Sequence, residues 1–562
     1  MTVPPAAADR PGWGVWGPPP WWCLAVLVLG LIPIWSSLGD HPVHGGSEAR
    51  YGVVARGMAQ GDAPWWVPHL HGEPHLTKPP LTYWLIAASI RVVGDGELAL
   101  RLPSAVAASL TLAVVFAAGV GFGGWRRGAL AAAILAVTPL FVVMARLGTT
   151  DALLGLFMTA MFATGATWIK NFKLLYLLIF YVFLGLALMT KGPVAGLVPL
   201  SLLFWCFAGN RLSVFRRPAV FIGLGLALLP LTIWGLSVVR QAPDAWAVWR
   251  YQTLDRATGA GDHPAAWWFF LPVLAVGLLP ATALLDLRGW RTPIRGLRRS
   301  ARRREPASLW WIAVLLTFGV FSAISGKLMS YLLPMAAPLA WLAAESVDRR
   351  YWPFPVDKDA HRKLGLSVLV PATLIGAGVM AAILIVQFEP LGGVGAVIPP
   401  LMLVLIAGIW GTALWRGRRR WAYALGALTW TSCLVTAVWA TTLEDRFLEL
   451  SDPRQWLEEI RNATGIRDPL VFTVGFTDRR LPYYSHQPTE RIDPRILPER
   501  WSKLDKHRLV LLAEGEPWDG FASDPHWDIA DRYVRLDLLL PDRWNRRSLR
   551  VYRVHPDRRD DP

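Results

Sequence analysis

A chain of 562 residues that is 53% hydrophobic and only 17% charged is too apolar for a soluble domain, where roughly 25% charged is usual. Its formal net charge of +16 invites a nucleic-acid reading, but the arginines gather in short stretches between apolar runs, the pattern of cytoplasmic membrane loops. Nucleic acid is therefore set aside as a partner. Cys23, Cys206 and Cys433 all lie inside apolar segments, so neither a CxxC metal or redox motif nor a disulfide framework is expected.

Taken in chain order, Met1 to Pro20 lacks a basic n-region and a small-residue cleavage site, which predicts that the first apolar run, 21–38, is a retained helix. Ser47 is placed to cap a helix from Glu48 to Gln60, whose Tyr51, Val54, Ala55 and Met58 form an apolar stripe. Such a helix would lie on the membrane surface with Arg56 pointing away from lipid. The stretch 79–95 is short for a crossing and opens on Pro79-Pro80, so an interfacial or re-entrant helix is predicted there. Further spans follow at 103–122, 128–146, 151–169, 174–190, 192–209, 218–239, 266–286, 308–324, 328–344, 364–387, 395–415 and 421–441, thirteen in all with the first.

Loop charge orients these spans. Arg126-Arg127, Lys170 with Lys173, Arg211 to Arg217, the eight arginines from Arg288 to Arg304, Arg349-Arg350 and Arg416 to Arg420 fall on one side. The positive-inside rule makes that side cytoplasmic. Region 39–102 then becomes one long external loop, and 442–562 lies outside too. That tail is polar and alternates β-type runs (Leu470–Phe476, Arg508–Leu512, Leu549–Val554) with helix-like stretches such as Asp452–Ala463, which reads as a small periplasmic α/β domain. The expected organisation is thus a transmembrane domain over 1–441 and a second domain over 442–562.

Chemistry concentrates at the external ends. The first loop carries Glu48, Arg50, Lys78 and five of the eleven histidines: His41, His44, His69, His71 and His75. Asp151 opens one span, as catalytic carboxylate or as simple N-cap. Lys191 ends the next, Arg256 and His263 sit in loop 240–265, and Lys327 and Tyr331 lie between two later spans. Cations at one depth suit a phosphate leaving group, while a carboxylate removes the proton of an acceptor hydroxyl. A lipid-linked phosphosugar fits such a set. His69, His71, His75 and His263 could ligate a divalent metal.

Glu48-Ala49-Arg50-Tyr51, Ala55-Arg56-Gly57-Met58, Gly61-Asp62, Lys78-Pro79-Pro80-Leu81, Arg101-Leu102-Pro103-Ser104, Thr149-Thr150-Asp151, Thr190-Lys191-Gly192-Pro193 and Gly326-Lys327 with Tyr331 and Pro334 resemble the bacterial aminoarabinose (lipid A) transferase and protein O-mannosyltransferase superfamily. The resemblance extends to about residue 340 and implies a GT-C fold membrane glycosyltransferase of the bacterial inner membrane. It implies inverting transfer from a polyprenyl-phosphate-linked sugar to a lipid, glycan or protein acceptor on the periplasmic side. By the same likeness Lys78, Arg50 and Tyr51 belong to the lipid-phosphate site, joined by Lys191, Arg256, Lys327 and Tyr331. Asp151 matches the family's second acidic position. Two positions depart from the pattern: Ser47 stands where the family's first loop has Asp, and Thr77 where Glu often precedes the lysine. Glu48 therefore becomes the candidate base beside Asp151. The alternatives are a transporter or flippase of lipid-linked saccharide, which wants charges at the bilayer midplane, and a non-catalytic relative.

Overall fold

Helix α1 (Trp21–Trp35) begins a computed structural model that describes residues 21–252, 265–285, 293–351, 452–474 and 480–486, with the backbone of strands at 490–491, 509–514, 533–542 and 547–554. Helix α2 (Gly45–Gln60) follows, and Gly61 closes it at φ 92° by donating its amide to the Gly57 carbonyl. The predicted stripe is its core face: Val54, Ala55 and Met58 are fully buried and Tyr51 nearly so. They pack on Tyr83, Ile86 and Ala87 of α3 (Leu81–Val93), which at 13 residues spans only about 20 Å, short of a bilayer core. Between α2 and α3 a small hairpin pairs β1 (His69–Leu70) with β2 (Glu73–Pro74).

Helix α4 (Glu97–Gly123) starts six residues before the predicted span. Its 27 residues measure about 40 Å, longer than the hydrocarbon core, so one end projects beyond it. The span expected at 128–146 is two helices, α5 (Trp125–Ala136) and α6 (Pro139–Ala145), bent by 70°. Proline supplies no amide to continue α5, and Thr138 turns its hydroxyl back to the Ile134 carbonyl at 2.8 Å. Helices α4 and α5 approach through bare glycine: a Cβ on Gly128 would lie 2.6 Å from the Phe116 carbonyl oxygen.

Helices α7 (Thr150–Asn171) and α8 (Leu174–Lys191) match their predicted limits closely. Leu174 to Ala208 reads as one apolar run of 35 residues, yet both its ends meet the same segment. Arg304 stacks 5.7 Å from the Phe172 ring before α8, and Arg211 donates to the Ala301 carbonyl at 3.2 Å after α9 (Leu197–Ala208). The run therefore doubles back at the 3₁₀ turn Gly192–Gly196, where Gly192 adopts φ 64°. Helix α10 (Pro218–Gln241) packs along α8, with the Tyr181 hydroxyl on the Val220 carbonyl, and a short α11 (Ala245–Arg250) ends that stretch.

The segment expected to span at 266–286 is no regular helix. It breaks into single turns at Trp267–Phe269, Phe270–Pro272, Val273–Gly277 and Thr282–Leu284, since Pro272 and Pro280 each remove a helical donor. The arginine run forms part of a helix, α12 (Pro293–Arg302), followed by α13 (Pro306–Ala323). The span predicted at 328–344 enters as a 3₁₀ turn, Met329–Met335, before α14 (Ala336–Tyr351). Among the described residues five runs are long and apolar enough to cross a membrane, or six with the bent pair. The spans predicted at 364–387, 395–415 and 421–441, and the domain boundary at 441, lie outside the described residues.

Beyond them, Asp452 caps α15 (Pro453–Thr464) through the Arg454 amide. Strand β3 (Leu470–Val474) precedes a short α16 (Leu481–Ser485) and strands β4 (Glu490–Arg491), β5 (Leu509–Glu514), β6 (Tyr533–Asp542) and β7 (Arg547–Val554). They form a mixed sheet in the order β4-β3-β5-β7-β6, parallel about β3 and antiparallel about β7. Three of these strands fall on the predicted β-type runs.

Replacing Gly128 by Ala should overpack the α4–α5 contact at a cost of about 1–3 kcal/mol. The detergent-solubilised protein should then melt at a lower temperature. Gly121→Ala, where nothing lies within 4 Å of the new Cβ, should leave the midpoint in place.

Candidate active site

The site is assembled around one buried ion pair. Arg101, 3% exposed near the start of α4, donates to Glu48 at 3.0 and 3.3 Å, and also to the carbonyls of Leu38, His41 and Pro42. All five guanidinium protons are used. Glu48, 1% exposed, also receives the Gly148 amide on one oxygen at 2.8 Å and the His44 amide on the other at 2.6 Å. The cap of α2 is therefore His44 with Glu48 reaching back to it, and the expected Ser47 cap is replaced; Ser47 is exposed. Burial alone would raise the Glu48 pKa, but the Arg101 charge, its hydrogen bonds and the two amides outweigh burial and hold it below the ordinary value. A carboxylate with both oxygens committed and no path to solvent cannot take an acceptor's proton. The expectation that Glu48 is the base is corrected: it is a structural bolt.

Asp151 stands in the opposite condition. It occupies the first turn of α7, but the cap residue is Thr149 and no side chain caps those amides, so the simple N-cap reading is overturned. Its carboxylate instead meets the Lys191 ammonium at 2.5 Å, and both side chains keep about an eighth of their surface open. Lys191 also lies 5.4 Å from the Tyr331 ring centre. Asp151, Lys191, Tyr331, Phe321 and Leu333 line a cleft of ≈ 240 Å³. The Tyr51 hydroxyl bonds to Thr150 and feels both charges of the pair; burial foremost, with Asp151 helping, raises its pKa, so the phenol is neutral at pH 7.

From Tyr51 the cluster continues into the first loop. Its ring stacks on Tyr83 at 5.0 Å, and Tyr83 bonds to Thr77. His75 Nε2 lies 2.9 Å from the Thr77 hydroxyl. Burial, then the charges of Arg50 and Lys78, lower the His75 pKa to about 4. Arg50, Lys78, Tyr51, Asp151, Lys191 and Tyr331 thus act on one shared region. Lys327 is buried and turned onto the Ile324 carbonyl, so it anchors its own loop.

Of the expected metal set, His69, His71 and His75 are among the described residues and do not converge. Among the described residues no three metal-donor side chains converge. His69 bonds to the Val67 carbonyl, His71 sits at φ 54° in the hairpin turn, and His75 is engaged by Thr77. Arg256 and His263 lie outside the described residues. Arg56, expected to point away from lipid, is 7% exposed: it grips Asp95 at 2.6 Å and reaches the Tyr483 carbonyl at 2.8 Å. Sequence reasoning missed Arg101, Arg146 (which holds the Pro33 and Ser36 carbonyls), Thr150 and Tyr83 as site builders. The only available signal was Arg101, charged at the head of an apolar run.

The arginine loops meet at the other end of the helices. Arg304 donates to the Lys170 carbonyl at 3.0 Å, Arg217 stacks on Phe172 at 4.0 Å, and Arg127 pairs with Asp348 at 2.6 Å. The 22 residues of α7 put this face about 33 Å from Asp151.

Comparison with known proteins adds independent findings. A family model described as dolichyl-phosphate-mannose-protein mannosyltransferase matches residues 77–234. Over 467 residues, 78% of this chain and 79% of the relative, the sequence is 29% identical to the undecaprenyl phosphate-alpha-4-amino-4-deoxy-L-arabinose arabinosyl transferase of Edwardsiella ictaluri. A transferase of the same description from Sodalis glossinidius is 30% identical over 62% of this chain and 63% of its own length. The crystal structure of ArnT from Cupriavidus metallidurans bound to undecaprenyl phosphate shares the fold, with TM-score 0.74 at 19% identity over 94% of this chain and 98% of that one.

Glu48→Gln should leave Arg101 as an uncompensated buried charge and destabilise the protein by roughly 3–5 kcal/mol, whereas Ser47→Ala should melt with the wild type. Because folding lowers the Glu48 pKa, the folded chain binds fewer protons than the unfolded one near pH 4. The stabilisation is therefore intact above the ordinary carboxylate pKa and fades as pH falls through the folded value. Thermal midpoints between pH 7 and pH 3 should show that decline in the wild type and a weaker one in Glu48→Gln.

Proposed function

We propose that this chain, which belongs to the aminoarabinose transferase and protein O-mannosyltransferase superfamily of GT-C membrane glycosyltransferases, uses Asp151 and Lys191 as the centre of its transfer chemistry. It is a multi-pass membrane enzyme that moves a sugar from a polyprenyl-phosphate donor to its acceptor. The names of the relatives favour 4-amino-4-deoxy-L-arabinose on undecaprenyl phosphate as donor. The observation that carries the reading is the Asp151–Lys191 pair at 2.5 Å in an open cleft, joined through Tyr51 to Arg50 and Lys78.

The step is a direct displacement. An acceptor oxygen bonds to the anomeric carbon as the carbon–oxygen bond to the lipid phosphate breaks, and that electron pair leaves on the phosphate. Asp151 takes the acceptor proton; Lys191, Arg50 and Lys78 neutralise the departing phosphate. Arg256 is proposed to join them. Ser47 removes the family's first acidic residue and Glu48 is locked, which leaves Asp151 as the carboxylate in the cleft. A flippase would need its charges at mid-membrane, whereas Asp151 and Lys191 sit at helix ends.

The arginine-lined face is proposed to be cytoplasmic and the cleft periplasmic, in a bacterial inner membrane. Glu97, at the cleft end of α4, binds Arg454 and Tyr484, and Arg56 of α2 reaches the Tyr483 carbonyl, which supports a periplasmic tail. In membranes given undecaprenyl-phosphate sugars, the aminopentose first, Asp151→Asn should cut turnover by about 10²-fold or more. Lys78→Ala should chiefly raise the donor KM. Wild-type turnover in Asp151→Asn would discard the base assignment.

A further inference from the structure

Helix α2 carries Glu48, Arg50 and Tyr51, and its outer side is held by a wedge from more than 420 residues downstream. Tyr483, 3% exposed, lays its ring on Gly52, so closely that a Cβ there would stand 2.4 Å from the Tyr483 Cε2. One helical turn on, the Arg56 guanidinium stacks 4.5 Å from the centre of the same ring, donates to the Tyr483 carbonyl at 2.8 Å, and is fixed from behind by Asp95. The next residue secures the approach to the helix. The Tyr484 hydroxyl accepts the Val43 amide at 2.6 Å and donates to Glu97 at 3.0 Å, where Arg454 of α15 also binds. Val43 immediately precedes His44, whose amide Glu48 holds.

We infer that Tyr483 and Tyr484 are positioning residues for the donor-phosphate site, acting through α2. The helix is clamped on two faces. Tyr51, Ala55 and Met58 press on α3, while Gly52 and Arg56 press on Tyr483. Those two contacts fix its rotation, and the Tyr484–Val43 bond fixes its axial position. Arg50 and Tyr51 project from the clamped turn, so their placement against Lys78 and Asp151 depends on the wedge. Asp151 and Lys191 belong to α7 and α8, which neither tyrosine touches in these contacts. Loosening the wedge therefore weakens lipid-phosphate capture more than the chemical step. Gly52 has the same logic: any side chain there displaces the Tyr483 ring.

The inference rests on the transferase reading for its choice of substrate, and the experiment separates the two. Full-length protein in lipid nanodiscs is titrated with undecaprenyl phosphate and assayed for sugar transfer. Tyr484→Phe, which removes one oxygen atom, and Tyr483→Ala should each raise the undecaprenyl phosphate Kd and the donor KM about 5–20-fold, with kcat within about 3-fold, as expected for lost buried contacts. Tyr483→Phe keeps the ring on Gly52 and under Arg56 and should bind as the wild type does. Unchanged Kd in both Tyr484→Phe and Tyr483→Ala overturns the inference, as does a fall in kcat at constant KM. Should Tyr483→Ala fail to fold, Tyr484→Phe decides alone. A wild-type protein that binds the lipid phosphate but transfers no sugar would overturn the transferase reading, while the binding data still judge the wedge.

Discussion

The Arg101 guanidinium is the constraint from which the catalytic face is built. It lies at the projecting end of a 27-residue helix, nearly sealed from water, and spends three of its protons on carbonyls of the loop between α1 and α2 and two on Glu48 of α2. An unpaired guanidinium at that depth is severely unfavourable, so Glu48 must be present and ionised. Glu48 in turn gathers the Gly148 amide just before α7 and the His44 amide at the head of α2. One ion pair thereby ties α4 to α2, which carries Arg50 and Tyr51, and to the start of α7, which carries Asp151. The strength of the arrangement comes from the absence of slack, since no oxygen or proton in it has an alternative partner.

A second pair, built oppositely, is the one proposed to carry the reactivity. Asp151 and Lys191 meet at the ends of antiparallel helices and retain access to a cleft. Partial exposure lets an incoming phosphate compete for the ammonium, which would leave the carboxylate released beside the acceptor. A fully sealed pair such as Glu48–Arg101 could not be separated in that way. The same two residue types thus serve as scaffold or as chemistry according to how much water reaches them.

Much of this was legible in the sequence, and what was not has identifiable causes. The limits of α7, α8 and α10 follow from unbroken apolar runs bounded by charge, and the stripe of α2 from its helical spacing. Lys78, Arg50, Asp151 and Lys191 were readable because charges at helix ends are costly near lipid. Glu48 was misassigned because its partner lies 53 residues away, a pairing that no local pattern encodes. The partner of Arg56 was hidden for the same reason, with Tyr483 at a separation of 427. Histidine density in the first loop suggested a metal site, whereas His69 is held by the Val67 carbonyl, His75 by Thr77, and no three donors converge among the described residues. Prolines at 139, 272 and 280 broke predicted spans because hydropathy averages over a missing donor that the helix cannot.

The contact between Arg56 and Tyr483 also sets a clock on biogenesis. At bacterial translation speeds of about 5–20 residues per second, the 427 residues between them take roughly 20–90 s to emerge. Throughout that interval α2 is already made and beside the bilayer, but its outer face has no ring to rest on. A nascent or prematurely terminated chain therefore carries every residue of the Asp151 cleft without the means to hold the first helix in register. On the proposed reading, the phosphate site is complete only once the segment around Tyr483 has been made.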